Sequence, residues 1–169
     1  GNYTCSVATV HYSTRQNTNQ VSYRGIEALY GNLLEWVDGL NIKADRNPWI
    51  ADHDYQSNLF SHPYADTGLT LPAADGYGSN LVYGAALDYA FLPSAVAGSG
   101  STYITDCYYK ATGNRAALLG GGWSSGAYAG AFHWDVGAAA LGVGRNVGAR
   151  AAFTPPVVAN FTHTNTSAE

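Results

Sequence analysis

The stretch from Ala44 to Tyr89 limits the folds open to this chain more than any other part of it. Pro48, Pro63 and Pro72 interrupt it, and Gly, Asp, Asn and Ser are frequent between them. Because proline continues neither a helix nor a central strand, long regular elements are not expected here. A long irregular region inside a compact domain is unusual and often functional. We therefore predict a folded domain in which loops occupy a large share of the chain.

Composition supports a folded domain and excludes two classes of partner. The 169 residues are 46% apolar, which is enough for one domain with a core. Charged residues make up only 12%, and the net charge is -4, so the Lys/Arg stripe of a nucleic-acid binder is missing. The sequence has no uncharged apolar run of about 18 residues, so no membrane insertion is predicted. It begins at Gly1 and contains no Met, from which we expect that an N-terminal part was removed.

The N-terminal half predicts one strand, one short helix and one hairpin. Alternating β-branched residues over Thr4–Tyr12 are typical of a strand. Apolar residues at helical spacing predict that a short helix begins at Gly25–Tyr30. Asp38-Gly39, between Leu33–Val37 and Leu40–Ile42, predicts a type I′ turn. Helix and hairpin compete for this stretch, and we favour a short helix followed by the hairpin.

The C-terminal half predicts strands separated by glycine-rich turns. Ser101–Tyr109 is rich in β-forming residues, Arg115–Leu119 is a second expected strand, and a last strand is expected near Val147–Phe153. Pro155-Pro156 ends that strand, and a polar tail follows.

Motifs that carry catalytic or cofactor chemistry are weak in this chain. Gly120-Gly121-Gly122 lacks the Lys-Ser/Thr of a phosphate loop, and no nucleophile elbow occurs. Asp52-His53-Asp54 offers metal ligands, with His62 and Asp66 nearby, but a solvated loop is the favoured interpretation. Cys5 and Cys107 are either joined in one long-range disulfide or are two buried thiols. We predict no catalytic residue, no cofactor and no metal site.

The segment Trp123–Gly144 is the most informative part of the sequence for function. Asp135 is the one formally charged residue between Ala116 and Gly144. Small residues alternate there with Tyr, His and Trp, a mixture that suits a binding surface of the kind antibodies use. The same residues also suit a pair of Gly/Ala-rich strands that pack closely. Composition alone does not separate these two interpretations.

Several motifs occur in an order that resembles a known family. They are Gly31-Asn32-Leu33-Leu34-Glu35-Trp36, Tyr64 to Pro72, Phe91-Leu92-Pro93-Ser94, Ser101 to Tyr109, Gly120-Gly121-Gly122-Trp123 and Gly148-Ala149-Arg150. The chain resembles, from about Val21 to Phe153, the C-type-lectin-like domain of the formylglycine-generating-enzyme type found in phage structural proteins. The resemblance implies an α+β fold of short antiparallel strands, one or two helices and long irregular loops. Formylglycine-generating enzymes use cysteines late in the domain, and this chain has none after Cys107, so no enzymatic activity is expected.

In many members of this family, the stretch between the Gly-Gly-x-Trp and Gly-x-Arg motifs is varied by a diversity-generating retroelement. The resemblance then implies that segment 123–144 forms an exposed, hypervariable ligand-binding face, on a scaffold that includes Trp123 and Phe132. The ligand-binding residues expected on this face are Ser124, Ser125, Tyr128, His133, Trp134, Asp135, Gly137, Leu141, Gly142 and Gly144. The resemblance by itself assigns Trp134 to the fixed scaffold.

The resemblance implies three regions and a role on a virus particle. Residues 1–20 are expected to form an N-terminal strand or attachment segment, 21–154 the C-type-lectin-like domain, and 155–169 a polar tail. The expected function is that of a non-enzymatic adhesin, extracellular on a tail or head fibre of the virion, that binds a host-surface protein or glycan. Other virion proteins and further copies of the chain, with a trimer favoured, are the expected assembly partners. The alternative is a capsid or tail decoration protein without a receptor.

Overall fold

Short β-strands provide almost all of the regular structure in the computed structural model, which describes residues 22–23, 26–82 and 90–150. The strands are β1 (Ser22–Tyr23), β2 (Ile26–Glu27), β3 (Leu34–Ile42), β4 (Pro48–Ile50), β5 (Ala65–Asp66), β6 (Gly76–Leu81), β7 (Pro93–Val96), β8 (Cys107–Lys110), β9 (Arg115–Leu119), β10 (Trp134–Val136) and β11 (Val147–Gly148). One 3-10 turn, Gly126–Tyr128, precedes β10. Within the described ranges no helix is long and apolar enough to cross a membrane.

Nine of these strands form one mixed sheet that curls into a half-barrel. Its order is β5-β4-β3-β9-β10-β8-β6-β7, and β11 pairs with β3. The pairs β10–β8 and β11–β3 are parallel, and the other pairs in the sheet are antiparallel. β1 and β2 form a separate two-stranded sheet. The long strand β3 pairs with β9 along one edge, and with β11 and then β4 along the other.

The expectation of an α+β fold with helices is wrong, because the described residues form strands instead. Ile26–Glu27, inside the expected helix Gly25–Tyr30, pair with β1. Ala28 and Gly31 then take positive φ angles of 52° and 77°, which are incompatible with a right-handed helix. A helix of six residues is also too short to be stable without strong packing of an apolar face. Pairing with distant strands therefore outweighs the local helical spacing.

The expected hairpin at Asp38-Gly39 is also wrong, since β3 runs through this dipeptide. Val37 pairs with Ala117 and Asn41 with Ala116, so three residues of β3 bulge out between two consecutive residues of β9. Gly39 permits the bulge with a φ of +76°, and its carbonyl accepts a hydrogen bond from Ala51 N at 2.9 Å. The left-handed glycine thus bends one strand instead of reversing the chain.

The remaining strand predictions have mixed outcomes. The strand at Arg115–Leu119 is confirmed with the same bounds. Only the last residues of Ser101–Tyr109 are strand, in β8, and the final strand is Val147–Gly148 up to the end of the described residues. The region from 44 to 82, expected to be largely irregular, contributes β4, β5 and β6 to the sheet. The strand predicted at Thr4–Tyr12, the segment 1–20 and the tail 155–169 lie outside the described residues.

The two faces of the sheet differ in what they contact. The inner face carries the hydrophobic core, made of Leu40, Ile42, Leu71, Leu92, Tyr108, Ala117, Trp134 and Val136. Trp36, Leu118, Asp135 and Tyr109 are direct partners across four neighbouring strands, so their side chains share the outer face. Cys107 is buried and disulfide-bonded, and Cys5, the other cysteine of the chain, lies outside the described residues.

Candidate functional site

Three of the sequence motifs quoted above, at 31–36, 120–123 and 148–150, meet around the start of β3. Gly31 N donates to the carbonyls of Gly120 and Gly121 at 3.1 Å, and Trp123 N donates to Asn32 O at 2.9 Å. The guanidinium of Arg150 forms a two-pronged ion pair with the carboxylate of Glu35, with Nε 2.8 and 2.7 Å from its two oxygens. This pair raises the pKa of Arg150. Segments more than 80 residues apart therefore hold the ends of segment 123–144 in place.

The first part of segment 123–144 is a tight turn beside Tyr77. Ser124, Ser125 and Tyr128 are half-buried, and the Ser125 hydroxyl accepts a hydrogen bond from Gly122 N at 3.1 Å. The rings of Tyr128 and Tyr77 lie 5.6 Å apart. These residues form one local surface, but part of each side chain is engaged within the fold.

His133 and Trp134 lie beneath the surface. His133 is 7% exposed, and its Nδ1 is 2.9 Å from the carbonyl of Tyr128. Trp134 is 5% exposed and belongs to the core, where its Nε1 donates to Phe91 O at 3.1 Å. Because β10 alternates between the two faces, Trp134 points to the core and Asp135 to the outer face. Both buried rings therefore contribute to packing and position their neighbours.

The remaining predicted residues follow β10 on the outer face. Asp135 is half-buried, and its Oδ1 accepts from Gly137 N at 2.7 Å. Leu141 is 91% exposed, and Gly144 is also exposed. Gly142 lies over Trp36, because a Cβ placed there would be 3.8 Å from Trp36 Cη2. The ten predicted residues thus divide between the turn at 124–133, the core and an outer loop, and do not form one continuous face.

Burial raises the pKa of the Asp135 carboxyl above its ordinary 3.8, with the Gly137 N–H acting in the opposite direction. The folded state therefore binds this proton more tightly than the unfolded state does, and stability falls as pH rises through the raised pKa. We expect Asp135→Asn, which keeps an acceptor for Gly137 N, to raise the thermal unfolding midpoint at pH 7. The advantage should shrink as the pH falls to about 3, because both states then bind the proton.

Asp66 supplies a control of opposite sign for this titration. Hydrogen bonds from Gly68 N and Asn47 Nδ2 lower its pKa, so its stabilisation is present at neutral pH and lost in acid. Asp66→Asn should therefore lower the unfolding midpoint at pH 7. Thermal melts of both variants from about pH 3 to about pH 7 test the pair. An Asp135→Asn midpoint below the wild-type value at pH 7 contradicts the burial argument.

An apolar cleft opens on the inner face, at the bulge of β3. Its volume is about 320 Å³, and Leu40, Ile50, Leu119 and Trp134 form its walls. Phe91 and Ala131 also line the cleft, and the rings of Phe91 and Phe132 pack edge to face at 5.8 Å. These two phenylalanines remain 46% and 39% exposed. The cleft is thus an open end of the hydrophobic core. Phe91, which lines it, and Phe132, which packs on Phe91 and follows the lining residue Ala131, are called its rim below.

Sequence reasoning did not identify this cleft. The motif resemblance places Phe132 in the scaffold of segment 123–144, and Phe91 lies 41 residues earlier in the chain. The cleft depends on the bulge in β3, where the sequence predicts a hairpin. The sequence offers only a weak signal for this cleft, namely two phenylalanines, Phe91 and Phe132. The structure shows that the residue after each of them is buried.

A second, polar cleft of about 290 Å³ lies on the outer face of β3. It is bordered by Trp36, by the loop containing Tyr55 and Gln56, and by Ala140, Ala149 and Arg150 near the C-terminal end of the described residues. Asp38, Gly39 and Leu40 line both clefts, so the bulge lies between them.

The acidic and histidine side chains around residue 53 are exposed to solvent. The His53 ring bonds to the Asp52 carboxylate, which raises the pKa of His53 and lowers that of Asp52. Among residues 22–23, 26–82 and 90–150, no group of three or more His, Cys, Asp or Glu side chains is placed to hold a metal ion.

Comparison with known proteins identifies no relative of this chain. No family model, no curated protein and no solved structure matches the chain.

Proposed function

We propose that this chain is a receptor-binding domain, and that the apolar cleft with its rim of Phe91 and Phe132 receives an apolar side chain of a host-surface protein. The observation that carries the proposal is the open cleft of about 320 Å³ beside two partly exposed aromatic rings, of which Phe91 lines the cleft and Phe132 packs on Phe91. Exposed aromatic groups beside a concave apolar site are typical of interface anchors. The low charge of segment 123–144, which includes Phe132, suits contact by apolar and aromatic groups.

The structure around the cleft supports a preformed site. Trp134 Nε1 donates to the carbonyl of Phe91, and Phe132 N donates to the Asp106 carboxylate at 2.8 Å. The backbone of each rim residue is therefore held by a hydrogen bond, at the carbonyl of Phe91 and at the N–H of Phe132. A rim that is already ordered loses little conformational entropy on binding.

The setting on a virus particle is part of the same proposal and rests on the motif resemblance to phage structural proteins. Under this proposal the domain is displayed extracellularly on a tail or head fibre, in several copies. Multivalent display strengthens weak single-site binding without any new contact.

Removing both rim aromatics is expected to weaken receptor binding strongly. In the double variant Phe91→Ser/Phe132→Ser, adsorption of the purified protein to a susceptible bacterial strain should fall about 30-fold or more, the usual effect of losing one strong interface anchor. Flow cytometry of fluorescently labelled protein on a panel of strains measures this loss. Tyr103→Ser is the matched control, since Tyr103 is 76% exposed and does not line the cleft.

Two results contradict the proposal. In the first, the double variant adsorbs as well as the wild type to every strain that binds. In the second, the thiol of the variant Phe132→Cys is protected from maleimide labelling in the intact particle. That protection indicates that the rim is buried against other subunits, as a decoration protein requires.

A further inference from the structure

The polar cleft on the outer face of β3 has a lining unlike that of the apolar cleft. Its lining combines aromatic rings, neutral polar side chains, one carboxylate and the Arg150 guanidinium. Ala116, Ala140 and Ala149 also line it, and their single methyl groups take up little of its space. The cleft lies across β3 from the rim formed by Phe91 and Phe132. The two clefts share residues 37–40, whereas Trp36 and Gln56 line the polar cleft and not the apolar one, so Gln56 is the test residue specific to it.

Two aromatic rings border the polar cleft. Trp36 is half-buried, and the loop at Gly142 packs against the far end of its indole. Tyr55 is 51% exposed, and its hydroxyl donates to Asp52 O at 3.1 Å. An indole fixed by packing and a phenol fixed by its hydroxyl offer flat apolar surfaces beside solvent. Such surfaces suit a ligand with one apolar face and a polar edge.

The wall formed by Gln56 is held in place by two buried side chains. Asn41 Nδ2 donates to Gln56 O at 2.8 Å and to Leu59 O at 3.1 Å. Tyr64 Oη accepts a hydrogen bond from Gln56 N at 3.1 Å. Asn41 and Tyr64 are each 4% exposed, so their positions are set by the fold. The backbone of Gln56 is thus fixed on both sides while its side chain stays at the solvent edge.

The edge of the polar cleft presents hydrogen-bonding groups that the described part of the chain does not use. The side chains of Asp38, Gln56 and Ser57 are exposed and form no hydrogen bond with described residues. A carboxylate accepts hydrogen bonds, an amide both donates and accepts, and a hydroxyl does the same. Together they complement a ligand that carries several hydroxyl groups.

The charges of the polar cleft argue against an anionic ligand. Arg150 is the one cation in its described lining, and its guanidinium is paired with the Glu35 carboxylate. Asp38 adds a negative charge at the edge. A phosphate, sulfate or carboxylate would therefore meet no uncompensated positive charge. The volume of about 290 Å³ is at the small end for ligand sites and suits one or two sugar rings.

We propose that this polar cleft binds a neutral mono- or disaccharide, with a sugar ring against Trp36 and its hydroxyls bonded to Asp38 and Gln56. The apolar C–H face of the ring lies on the indole, and the hydroxyls around its edge meet the carboxylate and the amide. No covalent step is involved.

Saturation-transfer NMR with the whole chain tests this proposal. The probes are glucose, galactose, mannose, N-acetylglucosamine, lactose and maltose, each titrated to about 50 mM, well above a millimolar dissociation constant. At least one neutral sugar should give a saturable signal. Asp38→Ala and Gln56→Ala should each weaken that binding about tenfold, the effect of losing one good hydrogen bond. N-acetylneuraminic acid, which is anionic, should bind more weakly than the best neutral sugar.

Matched variants separate this site from general effects and from the receptor site. Asp52→Ala removes an exposed carboxylate outside the cleft lining and should leave sugar binding unchanged. Phe132→Ala should also leave it unchanged, so failure of the receptor proposal does not affect this test. Unchanged thermal midpoints show that Asp38→Ala and Gln56→Ala are folded. Absence of a saturable signal with every neutral sugar overturns the proposal, as does binding that both cleft variants retain.

Discussion

Replacing Trp134 with alanine is expected to lower the free energy of unfolding by about 3–5 kcal/mol, the range for a large aromatic removed from a core. The ring is 5% exposed and belongs to the main hydrophobic cluster, so its loss leaves a cavity. It also removes the donor to Phe91 O. Urea denaturation followed by circular dichroism measures the change. The sequence alone leaves Trp134 either a ligand-binding residue, whose replacement would cost little stability, or part of the scaffold.

Trp134→Phe separates packing from the hydrogen bond. Phenylalanine keeps most of the apolar volume but leaves the part-buried carbonyl of Phe91 without its donor, which costs about 1 kcal/mol, the usual net value of one hydrogen bond. The loss should therefore be smaller than for alanine. Exposed Tyr103 provides the surface control, since Tyr103→Ala should change stability by less than about 0.5 kcal/mol. A Trp134→Ala loss as small as that of Tyr103→Ala contradicts a core role for this tryptophan.

Gly39→Ala is expected to destabilise the fold by about 3 kcal/mol or more, through strain and a backbone clash. Gly39 has a φ of +76°, and a Cβ there would lie 2.4 Å from the carbonyl oxygen of Ala51 and 3.0 Å from the Tyr55 ring. Relief of the clash requires the loop after β4 to move away from the bulge. Because Ala51 lines the apolar cleft and Tyr55 the polar cleft, both sites should be impaired in the variant.

Gly68→Ala is the matched control for the backbone strain alone. Gly68 has a φ of +67°, but a Cβ there would have no neighbour within 4 Å. Its substitution should cost only the left-handed penalty of about 1–2 kcal/mol. Equal unfolding midpoints for Gly39→Ala and Gly68→Ala would contradict this prediction, because the clash between the new Cβ and the Ala51 carbonyl would then add no destabilisation.

The strand at Arg115–Leu119 could be predicted from local residue types, whereas the helix and the hairpin turn predicted in the same way are wrong. Arg115–Leu119 forms a strand as expected, since its residues pair on both sides within the sheet. Asp38-Gly39 has the composition of a hairpin turn, but the strands that pair with β3 come from distant parts of the chain. Turn composition indicates which φ angles are accessible, whereas the pairing partner decides whether the chain reverses or bulges.

The candidate site shows the same limit. Segment 123–144 could be identified as unusual from its low charge and its mixture of small and aromatic residues. The sequence does not say which aromatic side chains face the core, because this depends on the register of β10 between β8 and β9. That register turns Trp134 inward and leaves Phe132 exposed at the cleft. A shift of one residue would exchange the two faces.

The sequence by itself determined that this chain has a low charge, that its glycines permit left-handed backbone, and that Pro48, Pro63 and Pro72 divide its middle region. Only the tertiary structure decided that strands replace the expected helix, that β3 bulges at Gly39, and that two chemically different clefts lie on its two sides. The physical reason is that composition and conformational preference are local properties. Strand pairing and burial depend on residues tens of positions apart, and those contacts determine which side chains remain available to a ligand.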